Sequence, residues 1–289
     1  MEGCSYMKLL PYIKLVRPVQ WLKNLMLFFP PFLGGSFSNQ GFFIAGLVPL
    51  AAFSFASSAT YIINDIFDKD NDRHHPSKCV RPIASGIVPV NAAQFLVVVL
   101  LICSVVSARN VSNAFFLDLV VYVVVSLSYS AKLKDIVLLD IFCISSGFLL
   151  RLHAGGIAFN ITISEWLFLS VFLLSVFLST GKRLSEKQSL GDVARHHRKA
   201  LVAYPKGFLE GTMYMTGGAV LVTYTMYVLS RHSPLLVYSV PLCCFGLMRY
   251  MLRVHLGLCG DPTNSLLKDL PLLIVGLIWV ILIGCAIYG

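Results

Sequence analysis

Asn64, Asp65, Asp68 and Asp72 follow the spacing N-D-x-x-D-x-x-x-D, and Arg73, Lys78 and Arg81 come directly after them. Residues three and four apart share one face of a helix. If the helix runs on through this stretch, the four side chains form a strip of oxygen donors, with Lys69 and Asp70 off that face. Three carboxylates so close repel one another unless a cation sits among them. Hard oxygen ligands suit Mg2+, which fills its shell with one or two carboxylates plus substrate phosphates. The bland alternative is a solvated acidic helix end, but acids at a helix C-terminus oppose the macrodipole. A metal beside cations makes a poor cation pathway and a good diphosphate site, since the basic groups take the phosphate oxygens the metal leaves. His74 and His75 read as polar loop residues ending the helix before Pro76.

The elements around this cluster are apolar. No charge lies between Lys23 and Asp65, or between Arg81 and Arg109. The chain has 289 residues, 57% hydrophobic and only 13% charged, with a mean hydropathy of +0.77. An average soluble domain is roughly 25% charged, so this is the composition of a polytopic membrane protein. About 20 apolar residues cross the hydrocarbon as a helix, whose backbone satisfies itself there. Nine spans are expected, at 18–37, 41–63, 89–108, 111–129, 136–157, 163–181, 211–231, 234–252 and 270–288. They form one all-α domain over 1–289, with no cleavable leader.

Placing the N-terminus in the cytoplasm and the C-terminus outside puts 20 of the 23 Lys and Arg on the inner side, as the positive-inside rule requires. The net charge of +9 is therefore a topology signal first, and it suits a cytoplasmic face that handles anions. The basic residues are dispersed, without a stacking module, so nucleic acid is not a partner. The eight cysteines lack a C-x-x-C pair and read as small apolar residues. Asp118 is the one acid near a span's middle. Arg151 and His153 fall on the outer side in this topology; they read as buried structural polar groups or outer-loop residues and stay outside the expected site. The large inner segments are 64–88, 182–210 and 249–269, and a second acid-bearing loop at 135–140 weakly repeats the first. Acid-bearing loops after alternate helices suit a bundle with one central cavity open to the cytoplasm.

With these motifs the chain resembles the UbiA superfamily of intramembrane transferases. Within it the match is to the branch that moves phosphoribose onto decaprenyl phosphate. The resemblance rests on RPVQWLKN (17–24), NDIFDKDNDRHHPSKCVRPIASG (64–86), YSAKLKDIVLLD (129–140), RLHAGG (151–156), GKRLSE (181–186), HHRKALVAY (196–204) and GDPTNSLLKDLPLL (260–273), and covers nearly the whole chain. It implies a UbiA-like bundle of nine helices in the inner membrane, with Mg2+ as cofactor. It also implies transfer from phosphoribosyl pyrophosphate (PRPP) to polyprenyl phosphate, giving a lipid-linked pentose for cell-wall polysaccharide such as arabinogalactan. Homo-oligomerisation stays open. One departure matters. Aromatic prenyltransferases carry a second D-x-x-x-D loop, whereas here Asp135 and Asp140 stand five apart beside Lys132 and Lys134, which suits a second anion better than a second metal.

The resemblance implies these roles. Asn64, Asp68 and Asp72, with Asp65 in reserve, hold Mg2+ on the leaving pyrophosphate. Arg73, Lys78, Arg81, Lys182 and Arg183 join Asn64 around PRPP. Arg17, Lys23, Asn24, Tyr129, Lys132 and Lys134 receive the acceptor phosphate. Asp140 steadies the cationic ribose carbon, and Arg195, Arg198 and Tyr204 form a lid. Several of these have bland readings: Arg17, Trp21, Lys23 and Tyr129 as interfacial anchors, Arg195 and Arg198 as lipid-headgroup contacts. A phosphate monoester is already ionised near neutral pH, so no general base is needed. Two other functions stay open: a prenyltransferase acting on an aromatic or other small acceptor, and a transporter moving cations along the acids.

Overall fold

Long apolar runs without internal charge become helices, and the breaks between them fall at Pro, Gly and charged residues. The computed structural model describes residues 3–36, 42–74, 78–190, 199–258 and 260–289, and among them it is helical with no strand. Helix α1 (Gly3–Val16) leads into a 3₁₀ segment (Pro18–Phe28) and the short α2 (Phe29–Leu33). Then come α3 (Phe42–Phe67), α4 (Lys69–Arg73), α5 (Val90–Val111), α6 (Asn113–Ala131) and α7 (Leu139–Ala158). The second half holds α8 (Glu165–Leu190), α9 (Lys199–Ala203), α10 (Phe208–Ser230), α11 (Pro234–Val237), α12 (Ser239–His255), α13 (Pro262–Lys268) and α14 (Leu270–Tyr288).

Among the described residues, seven helical stretches are long and apolar enough to cross a membrane: Ile44–Phe67, Val90–Val111, Asn113–Ala131, Leu139–Ala158, Glu165–Ser189, Pro234–His255 and Leu270–Tyr288. Two of the nine expected spans are not among them. The stretch 18–37 is no single helix: Pro18 opens a tight 3₁₀ coil, and α2, carrying Pro30-Pro31, stops after five residues at Gly34-Gly35. Helix α10 is long enough, at 23 residues, but Gly211, Gly217, Gly218 and its threonines dilute its apolar character.

Helix α3 packs along α5, and α8 along α10; α7 bridges the halves by touching α6, α8 and the 3₁₀ segment. A Cβ on Gly155 would run into the Leu27 backbone, so this glycine lets the 3₁₀ segment lie directly on α7. The outward faces of α5 and α14 remain apolar, with Phe95, Ile102, Leu270 and Ile281 well exposed, as expected where lipid replaces water.

Candidate active site

Asn64 and Asp65 sit on the last turn of α3. The helix does not run on as the spacing predicts: it breaks at Asp68 (φ −90°, ψ 4°) and restarts as α4. The break is gentle, since the Asp72 N–H still donates to the Asp68 carbonyl at 2.8 Å, and the acids stay together. Each is met by a base. Arg17 donates to both oxygens of Asp65 at 2.5 and 2.6 Å. Arg81 bridges Asp65 at 3.0 Å and Asp72 at 2.5 Å. Lys134, from the loop after α6, ion-pairs with Asp68, which also accepts from Asn64 Nδ2 at 3.1 Å. Asp65 and Asp72 are nearly inaccessible, at 2% and 4%. Burial of carboxylates is tolerated when they are paired and hydrogen-bonded, so these bases fasten three remote segments to one acidic patch. Among the described residues no three of His, Cys, Asp and Glu converge as a ready metal cage.

Beside this patch lies a chamber of about 320 Å³. Arg17, Asn64, Asp68, Lys78 and Arg81 line its loop end. Tyr129, Lys182, Arg183, Glu186 and Asp261 form one flank, and Lys23, Tyr122, Gly147 and Arg151 the deep end. A larger, shallower hollow of about 680 Å³ opens by His153 and Glu165. Its lining is mostly apolar with no convergent cations, so the smaller chamber is the candidate site. His153 pairs at 2.7 Å with Asp118, the acid noted near the middle of a span.

Arg183 is fully buried and aimed by three partners: Asp140 at 2.7 Å, Glu186 at 2.5 Å and the Tyr129 hydroxyl at 2.8 Å. Behind it, Tyr204 donates to Asp140 at 2.5 Å and accepts from the Leu138 N–H at 2.9 Å. Burial and the Asp140 carboxylate push the Tyr204 phenol above its ordinary pKa, which keeps it a donor. On the same flank Lys182 meets Asp261 at 3.3 Å. Burial raises the Asp261 pKa, but Lys182 and Lys23 outweigh that and hold it below the usual range.

Some expected site residues stand elsewhere. Asp140 is wholly buried and does not line the chamber; it acts on it only through Arg183. Tyr204 is 2% exposed, an anchor and not a lid. Arg195 and Arg198 lie outside the described residues. Lys132 is exposed and off the chamber wall. Arg73 turns to the Ala84 carbonyl at 3.3 Å and to Asp70 at 3.6 Å. Asn24 is buried behind Arg151, accepting from its Nε at 2.7 Å.

Three chamber residues, Arg151, Glu186 and Asp261, escape the sequence reading. For Arg151 a signal existed, because an arginine inside an apolar span is costly and marks function by default; the positional topology, which placed it outside, overrode it. Glu186 lies in the last turns of α8 and Asp261 just before α13, and nothing in the spacing distinguishes either.

The model of the UbiA prenyltransferase family matches residues 27–262. The chain belongs to the UbiA prenyltransferase family. A decaprenyl-phosphate phosphoribosyltransferase of Mycolicibacterium smegmatis is 35% identical over 96% of this chain and 92% of its own. The Corynebacterium glutamicum protein of the same name is 34% identical over 96% and 86%. A solved UbiA homologue from Archaeoglobus fulgidus, bound to DMAPP and Mg2+, superposes with a TM-score of 0.73 over 96% of this chain and 98% of that one. At 18% identity it shows the fold alone. The all-helical UbiA architecture expected from the motifs is thus the observed one, in a multi-pass membrane protein.

Proposed function

We propose that this UbiA enzyme transfers the 5-phosphoribosyl group of PRPP to a polyprenyl phosphate, from the cytoplasmic side of the inner membrane. The observation that carries this reading is the chamber's charge. Among the described residues, seven basic side chains line it against three acids, Asp68, Glu186 and Asp261, an excess that suits two anionic substrates and not a prenyl diphosphate with a neutral aromatic. The full-length likeness to decaprenyl-phosphate phosphoribosyltransferases supports it.

In this reading the ribose C1–O bond to pyrophosphate breaks, the pyrophosphate leaves with the electron pair, and a lipid phosphate oxygen forms the new bond to C1. No proton moves. Asn64 and Asp68, both on the wall, with Asp72 one turn on, are the oxygen donors that would hold Mg2+, which neutralises the leaving pyrophosphate when bound. The lack of a ready cage among the described residues fits a metal that shares its shell with substrate phosphates. Arg81 and Lys78 stand where they can take the remaining pyrophosphate oxygens, and Arg183, pre-aimed by Asp140, offers a fixed guanidinium beside them. Catalysis is then positional and electrostatic.

Membranes carrying the protein decide it. Ribose-labelled PRPP with polyprenyl phosphate is expected to give lipid-soluble label that needs Mg2+. A prenylated small product from labelled prenyl diphosphate would replace this reading with the prenyltransferase one, and neither product would point to transport.

A further inference from the structure

Arg151 is 4% exposed and has no carboxylate within ion-pair distance among the described residues. Its partners are neutral: Asn24 Oδ1 at 2.7 Å, the Gly147 carbonyl at 2.7 Å and the Tyr122 hydroxyl at 3.0 Å. Asn24 is itself braced, donating to Ser54 at 3.1 Å and Ser57 at 3.3 Å. Three of the five guanidinium N–H groups are spent on fixing its plane, leaving two for a ligand. A buried cation without an anion costs several kcal/mol, and a purely structural tie would not place a second cation beside it. Lys23 lines the same end of the chamber and makes no hydrogen bond or ion pair with any described residue. Lys182, on the flank, is close enough to act on Lys23 and is shared with Asp261.

We propose that Lys23 and Arg151 at the deep end of the chamber, joined by Lys182 from its flank, form a phosphomonoester-binding subsite separate from the acidic patch. Three cations against one acid leave a local charge of +2, which matches the near-dianionic monoester at neutral pH. Separation comes from helix geometry. Arg151 lies eleven residues along α7 from Asp140, about 16 Å of rise, whereas Asn64 and Asp68 lie at the loop end. This subsite rests on the proposed reaction, which brings two monoester groups into the chamber: the 5-phosphate of PRPP and the phosphate of the lipid acceptor. Either has the chemistry the subsite recognises.

The test is calorimetric binding to the purified full chain in detergent, with ribose 5-phosphate and farnesyl phosphate as probes and Mg2+-pyrophosphate as control. Wild type is expected to bind at least one monoester. Lys23→Gln and Arg151→Gln should weaken that probe about tenfold to hundredfold, the worth of a hydrogen bond to a charged group, and leave Mg2+-pyrophosphate within about twofold. Loss of ribose 5-phosphate assigns the subsite to the donor; loss of farnesyl phosphate assigns it to the acceptor. Lys23→Gln removes no intramolecular bond to the described residues, so it tests the subsite even if Arg151→Gln fails to fold. Unchanged monoester affinity in Lys23→Gln, a parallel fall for pyrophosphate, or no monoester binding by wild type would overturn the subsite. If wild type still makes lipid-linked phosphoribose in any of these cases, the subsite alone is lost. If it makes none, the reaction reading fails with it.

Discussion

At the scale of single residues, the acidic patch is a set of acid–base pairs. Asp68 is its most accessible member and lines the chamber. Asp68→Asn is therefore expected to cut kcat by at least about a hundredfold, the scale of losing one preorganised electrostatic group, with unfolding temperature little changed; near-normal turnover would remove it from the metal site. Lys134 and Lys132 are two residues apart and differ completely. Lys134 pairs with Asp68, while Lys132 is exposed. Lys134→Gln should change the Mg2+ dependence of turnover and Lys132→Gln should not, and Mg2+ titrations of both variants check this. Asp140 is the buried partner of Arg183. Removing one member of a buried pair costs about 3–5 kcal/mol. Asp140→Asn should thus lower the unfolding temperature as well as activity, which thermal denaturation in detergent reads, whereas an Asp140 acting on substrate alone would leave stability unchanged.

At the scale of elements, one carboxylate joins two helices. Asp269 caps α14 by accepting from the Leu272 N–H at 3.0 Å. It also receives Arg249 at 3.0 and 3.1 Å and Arg253 at 2.6 Å from α12. The hydrogen bond from Arg249 is the largest influence, and with those from Arg253 and the Leu272 N–H it outweighs desolvation and holds the Asp269 pKa well below the usual carboxylate range. A depressed folded-state pKa stabilises fully above the unfolded value near 4, and that stability is lost as pH falls toward the lower folded value. The α12–α14 clamp should therefore hold near neutral pH and weaken in acid below about pH 4. Asp269→Asn should unfold at lower temperature at pH 7 and lose less than wild type between pH 5 and pH 3. Parallel melting curves that keep a constant gap across that range would rule the clamp out.

At the scale of the whole molecule, the charged loops gather at one end of the bundle. The loops after α3 and α6 meet there through Asp68 and Lys134, and the loop before α13 reaches the same chamber through Asp261. The opposite end carries the turn at His232. This sidedness predicts labelling. In a cysteine-free background, Lys132→Cys should react with an impermeant maleimide only after the inner membrane is opened. His232→Cys should react in intact spheroplasts. The reverse pattern would turn the chamber to the other side of the membrane.

Hydrophobic runs, charge asymmetry and three- and four-residue spacings are local properties, and they alone determined that this chain is a helical membrane bundle with an oxygen-rich patch after α3. The same local logic failed where backbone chemistry intervened, as at Pro18 and Pro30-Pro31, where an expected span became a 3₁₀ coil. Only the tertiary structure decided the pairings. Arg151 meets Asn24 across 127 residues, Lys134 meets Asp68 across 66, and Arg17 meets Asp65 across 48. No spacing encodes such contacts. They arise because α7 packs on the 3₁₀ segment and α6 ends beside α3, and buried charge then settles on whichever partner the packing brings within reach.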